Sequence, residues 1–552
     1  MNTSKKPRLS QPQTLSARHA PPMRQAQQAL PASKTLPALQ ALQIDAPARM
    51  RFALMCLALA GLALASLALL AACDRPQAGP ATELRFGFIS EPATLDPLSP
   101  ANTADGRSIL FNVFEGLVKP DPEGRHLLAL AESYSMEEMG RVYVFRLREN
   151  VLFHDGAPLT QADVIFTLET AAAAGLVGMD AIESVEAVGE RDLRITLRSP
   201  DPDFLPYLTV GVVRAGSADR DRVAVGTGPF RVESHTVQQS MVLRRFEYYW
   251  QENVPSLEKV TLVFLADLNA KFLALQGGSI DGAFFTAGIA HQIDRARFDV
   301  THVYAARVQR LVLNNAAPPL DDIRVRRALN YGIDPQGIID LVFFGYGRRA
   351  GGPVIPGLVA YYEPSLVGAY PHDPERAIAL LAEAGFGEGG ERGRLSLEIT
   401  VPSNFTQHVD TAQVIVAQLA GIGVDASIQL VDWATWLAEV NRDRNYQVTI
   451  ISVDGRTVSP RSFLDRYRSD SGSNFVNFSS ADFDRVFDMA IAEADEGRRI
   501  ELYREAQRIL SYNAASVYIQ DILGSMAFRA GAFGGVLGYP LAAIDFASMY
   551  AR

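Results

Sequence analysis

Hydrophobic and polar positions alternate with period two in VYVFRLRENVLF (142–153), DLRITLRS (192–199) and SMVLRRFEYYW (240–250), and each predicts a strand with one buried face. LRFGFI (84–89) is a compact apolar run and predicts the first strand. EPATLDPLSP (91–100), broken by three prolines, predicts a loop, and RSILFNVFEGLV (107–118) has apolar residues at helical spacing up to Gly116. Residues 160–170 read as a helix capped by Thr160, with Asp163 completing a capping box. Residues 270–276 predict another helix, closed by Gly277 and Gly278.

From about residue 310 the pattern changes to helix and strand in alternation. DPERAIALLAEAG (373–385) carries Asp373 as N-cap, Pro374 at the first helical position and Gly385 past the last turn. LSLEITV (395–401), a helical stretch over 407–423 and VDASIQLVD (424–432) predict one β-α-β unit with parallel strands. Amphipathic helices follow near 481–494 and 498–512, and 517–550 returns to strand-like sequence. The predicted class is α/β, with 552 residues giving room for two or three cores.

Charge divides the chain unevenly. Of 52 bases and 62 acids, eight bases and one acid lie in residues 1–72, so residues 73–552 carry 44 against 61, a net of −17. A body this acidic, without a basic stripe, excludes nucleic-acid binding by counterion displacement and adhesion to anionic lipid by charge. Residues 1–49 are rich in Pro, Gln, Ala and Ser and predict a disordered extension. An apolar run over 52–72 follows the basic Arg51; its length would span a bilayer, and its basic start and small terminal residues read as a signal peptide over 50–72. That segment is complete in itself, so Met50 is the expected translation start, and 73–82 is a short linker.

The two cysteines, Cys56 and Cys73, exclude a disulfide framework and a Cys-built metal site. Eight scattered histidines show no i, i+4 pair, so no metal site is expected. The sequence carries no G-x-S-x-G elbow, phosphate loop or dinucleotide glycine fingerprint, and GTGPF (226–230) reads as a tight turn. Asp201 and Asp203, flanked by prolines, read as a solvated loop. No catalytic residue and no cofactor are expected.

Leu70-Ala71-Ala72-Cys73 resembles the bacterial lipobox, which implies diacylglycerol on Cys73 and a mature chain tethered by lipid; Asp74 resembles the mark for staying on the inner membrane. EPATLDP (91–97), FEGLV (114–118), YVFRLRENVLFHDGAPLTQADVIFTLE (143–169), GTGPFRVE (226–233), LALQGGSIDGAF (273–284), LVLNNAAPPLDDIRVRRALNYGID (311–334) and DPERAIALLAEAG (373–385) form an ordered series. In number, order and spacing these blocks resemble the dipeptide- and oligopeptide-binding proteins of bacterial ABC importers. Asp321 and Asp322 read as caps of a helix over 323–331 with its arginines on the solvent side.

The resemblance implies a two-lobe periplasmic-binding-protein fold (type II, large class) with a subdomain inserted in the first lobe. Lobe one is expected over 83–110, 190–305 and 520–552, the insert over 111–189, and lobe two over 306–519. It also implies a monomer on the periplasmic side of the inner membrane that captures a small peptide or peptide-like solute. The partner is an ABC permease whose ATPase subunits are separate. Relatives that carry nickel chelates, glutathione, opines or oligosaccharides leave the solute open, and an extracytoplasmic hydrolase or chaperone on the same scaffold is the rival from another class.

A peptide's ammonium end needs a carboxylate in a water-poor setting. In peptide-binding relatives that acid lies just after a strand in lobe two, and the resemblance implies it for Asp454 in YQVTIISVDG (446–455), with a turn Asp before Gly455 as the alternative. The following GRTVSP (455–460) departs from the family in length and in carrying Arg456, which would neutralise Asp454 or receive a ligand carboxylate. Further candidates are the backbone of Ser452 and Val453, the loop Asn102, Thr103, Ala104 and Asp105, the rings of Trp433 and Trp436, and Tyr518 with Gln520.

Overall fold

Alternating segments become strands: Val142–Leu147, Asp192–Leu197 and Ser240–Arg245 each bury one face. The computed structural model describes residues 82–552 apart from Arg456, Ala542 and the side chains of Tyr304 and Ala305. The expected extension, signal peptide, linker up to residue 81 and lipidation site at Cys73 lie outside the described residues, as does the candidate Arg456.

One mixed sheet runs through the described body. Its order is Asp425–Val431, Ser396–Pro402, Val448–Asp454, Phe298–Leu313, Ser516–Arg529, Gly282–Thr286, Glu83–Phe88, Lys259–Phe264, Ser240–Arg245, Phe230–Thr236. The short strand Gly347–Arg349 adds to Ser516–Arg529 off this path. The β-α-β unit forms as predicted, with Ser396–Pro402 parallel to Asp425–Val431 across the helix Thr406–Gly421.

Two strands of 16 and 14 residues, Phe298–Leu313 and Ser516–Arg529, pair antiparallel across the middle and belong to both lobes. Their register is broken between Tyr304 and Val308 and again between Gln309 and Arg310, where Leu523, Asp521, Gln520 and Tyr518 stand opposite. Ala306, inside the first break, has φ +53°. Apart from these bulges the two strands are continuous, and as the two connections between the lobes they are the hinge strands.

The first lobe packs Leu84, Phe86, Phe230, Leu243 and Leu262 into one cluster with the insert's Tyr143, Phe145 and Leu193. The second lobe buries both faces of its sheet. Leu311, Ile399, Ile450 and Val517 meet the helices Ile323–Gly332, Pro374–Glu383 and Thr406–Gly421. Val308, Ile451 and Val453 meet Tyr467 and the helices Ala481–Ala492 and Glu496–Tyr512.

The insert is a four-stranded antiparallel sheet, Ala131–Glu137, Val142–Leu147, Asp192–Leu197 and Ile182–Val188, covered by the helix Gln161–Ala173. Thr160 and Asp163 form the expected capping box, with the Thr160 amide donating to Asp163 Oδ2 at 2.8 Å. Strand Asp192–Leu197, expected in lobe one, pairs on both sides within this sheet, so the insert reaches past residue 189.

Three expectations differ from the structure. The helix expected over 107–118 is only Ala104–Leu110. The main chain at 112–113 instead accepts from Gly228 and Phe230, and a Cβ at Gly226 would lie 2.0 Å from the Val113 carbonyl oxygen, so that turn is a close crossing of two backbones. Asp201 and Asp203 are buried rather than solvated. On the capped helix Ile323–Gly332, Arg326 is buried and donates to the carbonyls of Leu320, Asp321 and Asn513, so it is not on the solvent side.

Candidate ligand-binding site

The candidate ligand edge of the second lobe is the end of the strand Val448–Asp454. Strand Val448–Asp454 pairs with Phe298–Leu313 along its whole length but with Ser396–Pro402 only at Val448 and Thr449. Beyond Thr449 its other edge has no strand partner among the described residues, so alternate main-chain groups over 450–454 face outward. Ser452 and Val453 lie on this open edge. The Val453 side chain packs into the second-lobe core, while Ser452 turns to the opposite face, its Oγ buried without a hydrogen-bond partner.

Asp454 is half-buried at the strand's last position, directly across from Arg307. The two side chains share a face with Gln309, Ser452 and Ile450 because residues two apart and cross-strand partners point the same way. Among the described residues Arg307 forms no ion pair, and its buried Nε has no hydrogen-bond partner. Arg466 Nη2 reaches the Asp454 carbonyl oxygen at 3.4 Å.

Behind them lies a buried polar chain. Gln520 Nε2 donates to Gln309 Oε1 at 2.8 Å, and Gln309 Nε2 donates to His408 Nδ1 at 3.1 Å and to Thr411 Oγ1 at 3.0 Å. Accepting at Nδ1 leaves His408 neutral with its proton on Nε2. Burial, with Arg307 nearby, lowers its pKa to about 4. One strand further over, on the other face, burial raises the Asp521 carboxyl to about 7 although Arg348 Nη2 lies 3.1 Å away. Tyr518 is buried, its hydroxyl donating to Tyr467 at 3.0 Å, and the guanidinium of Arg310 enters the same core and donates to Tyr467.

The aromatic candidates separate. Trp436 is core, its Nε1 donating to Thr449 Oγ1 at 2.9 Å, whereas Trp433 stacks on it at 5.0 Å and stays 38% exposed. Phe405, 37% exposed, meets Trp433 edge-on at 5.4 Å and His408 at 5.5 Å, so an apolar ledge adjoins the polar edge.

In the first lobe the loop candidates have structural partners. Asn102 Oδ1 accepts from the Thr94 amide and its Nδ2 donates to the Asp96 carbonyl. Thr103 caps the helix Ala104–Leu110, and Asp105 accepts from the amide and hydroxyl of Ser90, each at 3.2 Å. Lys271, buried beneath the Phe285 ring, has its ammonium pKa lowered by burial to about 8, with Asp105 acting against that shift.

Asp201 and Asp203 join the insert side to the second lobe. Arg461 pairs with Asp201, while Asp203 Oδ2 accepts from Ser459 Oγ at 2.8 Å and Tyr503 Oη at 2.9 Å. Burial pushes the Asp203 carboxyl up from its ordinary value. Among the described residues no cluster of three His, Cys, Asp or Glu side chains is placed to hold a metal ion, and no helix is long and apolar enough to cross a membrane.

Arg307, His408, Gln309 and Asp521 were not singled out in the sequence. For Arg307, Gln309 and Asp521 the signal is faint, charged and amide residues within the otherwise apolar runs ARVQRLVL (306–313) and YIQDIL (518–523), and His408 lies apart on the helix Thr406–Gly421. Only the pairing of the two hinge strands, with the helix Thr406–Gly421 packed on them, shows that they meet.

Comparison with known proteins adds to this geometry. Residues 127–475 match the family model for bacterial extracellular solute-binding proteins, family 5. The heme-binding protein A of Haemophilus influenzae is 27% identical over 436 residues, 72% of this chain and 79% of that protein. The dipeptide-binding protein of Escherichia coli is 26% identical over 431 residues, 71% and 80% of the two chains. The crystal structure of the ABC transporter substrate-binding protein CtaP from Listeria monocytogenes superposes with a TM-score of 0.75 at 22% identity, covering 85% of this chain and 99% of that one.

Proposed function

Since the chain belongs to the bacterial extracellular solute-binding proteins of family 5, we propose that it captures a small peptide or peptide-like solute between its lobes and delivers it to an ABC permease. The observation that carries this reading is Asp454 at the end of a strand whose outer edge beyond Thr449 has no strand partner among the described residues. An extended peptide offers main-chain groups to such an edge whatever its sequence, and a terminal ammonium to the carboxylate beside it. The exposed ring of Trp433 then supports an apolar side chain. Closure about the hinge would bring the first lobe over the solute, and the permease would read the closed form. Members of the family are solute-binding proteins, and ATP hydrolysis is assigned to separate subunits. The identity of the solute belongs to this proposal, with glutathione, heme and metal chelates as the other chemistries.

The proposal includes a lipid tether at Cys73 on the periplasmic side of the inner membrane, supported by the Leu70–Cys73 sequence, and a monomeric body. Mass spectrometry of material released from gently purified protein identifies the solute. D454N should weaken binding of that solute at least tenfold without changing the melting temperature, whereas unchanged affinity removes Asp454 from the site.

A further inference from the structure

Asp521 lies on the hinge strand Ser516–Arg529, opposite Val308, where pairing resumes after the register break that begins at Tyr304. Its side chain is fully buried. Oδ2 accepts from Arg348 Nη2 at 3.1 Å, whereas the buried Oδ1 has no hydrogen-bond partner. Enclosure penalises the charged form of a carboxyl, and an orphaned oxygen does nothing to offset that. Burial therefore raises Asp521 to about 7, against the pull of the Arg348 guanidinium and the Arg307 main-chain amide. Strand Gly347–Arg349 supplies Arg348 to this carboxyl, and the chain beyond it supplies the hydroxyl of Tyr362. Strand Phe298–Leu313 supplies the Arg307 amide and the apolar Val308.

The cover on this face of the hinge is held by both lobes. The segment after strand Gly347–Arg349 buries Ala350, Val354, Ile355 and Leu358 in the same cluster as Val308, and Leu541, from the C-terminal stretch of the first lobe, packs against that cluster. A Cβ added at Gly357 would stand 3.2 Å from Pro540 Cβ, and one added at Gly124, in the insert, 3.2 Å from Leu358 Cδ2. The covering segment is thus clasped between the lobes.

We propose that closure of the lobes takes up a proton at Asp521, so that solute capture is coupled to pH through the hinge. The proposal rests on the receptor reading above and adds a regulator to it. With the lobes apart, Pro540, Leu541 and the turn at Gly124 leave the covering segment, water reaches the carboxyl, and the group returns toward its ordinary value. The closed form then binds a proton that the open form releases, and proton and solute each strengthen the other's binding. A carboxyl that holds its proton more tightly in the closed form favours closure at low pH, and that advantage is lost as pH rises through about 7.

Calorimetry tests this with the solute eluted from the protein as purified and returned to the stripped protein, in buffers of different ionisation enthalpy at pH 6, 7 and 8. Wild type should take up close to one proton per solute at pH 6 and about half a proton at pH 7, and bind about tenfold more weakly at pH 8 than at pH 6. D521N, whose amide stands in for the protonated carboxyl, should lose that uptake and that fall in affinity. R348Q keeps the carboxyl but removes the cation beside it, and should displace the fall in affinity to higher pH, which a merely damaged hinge would not do. The same pH dependence in wild type and D521N, or a difference of opposite sign, overturns the proposal and leaves the receptor reading standing. A protein that carries no solute as purified and binds none overturns both.

Discussion

Replacing Arg461 by Met removes a guanidinium from the contact between the insert side and the second lobe. Arg461 pairs with Asp201, whose side chain is 6% exposed, and lies 5.6 Å from the Tyr207 ring. Asp203, two residues on, is fully enclosed with Ser459 and Tyr503. Methionine fills the aliphatic volume but leaves the Asp201 carboxylate without its cation. Breaking a buried pair by removing one member costs about 3–5 kcal/mol, and with Arg461 itself 23% exposed the lower end, about 3 kcal/mol, applies. If this contact opens when the lobes separate, Asp201 and Arg461 both hydrate there and the loss falls on the closed form alone. A penalty of about 3 kcal/mol on that form corresponds to roughly a hundredfold weaker solute binding. The assay is calorimetric titration of R461M and wild type with the co-purifying solute, alongside melting of the empty proteins. Affinity within threefold of wild type, together with a lowered melting temperature of empty R461M, would refute the reasoning, because the pair would then be part of a permanently docked surface.

Asp521, with its carboxyl raised by burial to about 7, holds a proton in the folded protein that the unfolded chain releases near its ordinary value. Its contribution to stability is therefore greatest at low pH and is lost as pH rises through about 7; urea unfolding of D521N should show a smaller decline between pH 5 and 8 than wild type. His408 behaves oppositely: with its pKa lowered to about 4, the ring should remain neutral in an NMR titration until the pH approaches that value, and its contribution is lost as pH falls through about 4. T160A removes one half of the capping box on the insert helix and should cost about 1 kcal/mol in denaturant unfolding, with solute affinity unchanged. G226A forces a Cβ to 2.0 Å from the Val113 carbonyl oxygen, a main-chain atom that cannot rotate away, and should lower the yield of folded protein far more than alanine at Gly278, where nothing lies within 4 Å.

Local pattern carried most of the fold. The capping residues Thr160, Asp322 and Asp373 and the parallel unit over 396–431 were legible because caps, period-two alternation and helical spacing act within a few residues. The helix expected over 107–118 ended early for a non-local reason. Residues 112 and 113 give their carbonyls to a turn more than a hundred positions away. Asp201 and Asp203 misled in the same way, since flanking prolines do predict a loop, but Arg461 and Tyr503, about 260 and 300 residues on, bury it.

At the candidate site, Asp454 was legible as a candidate through a resemblance and a strand end, and Trp433 with Trp436 through their place after a strand. Which tryptophan stays exposed depended on the Thr449 hydroxyl, which draws the Trp436 indole inward. Arg307 and His408 had no local signature, because their proximity depends on a hinge strand meeting a helix a hundred residues later.

Small-angle X-ray scattering of the protein stripped of solute and then reloaded with it tests the two-lobe receptor most directly. The account predicts a smaller radius of gyration on reloading, reversed when the solute is removed again. Superimposable curves from a protein shown to bind would contradict closure about the paired strands at 304–308 and 520–523.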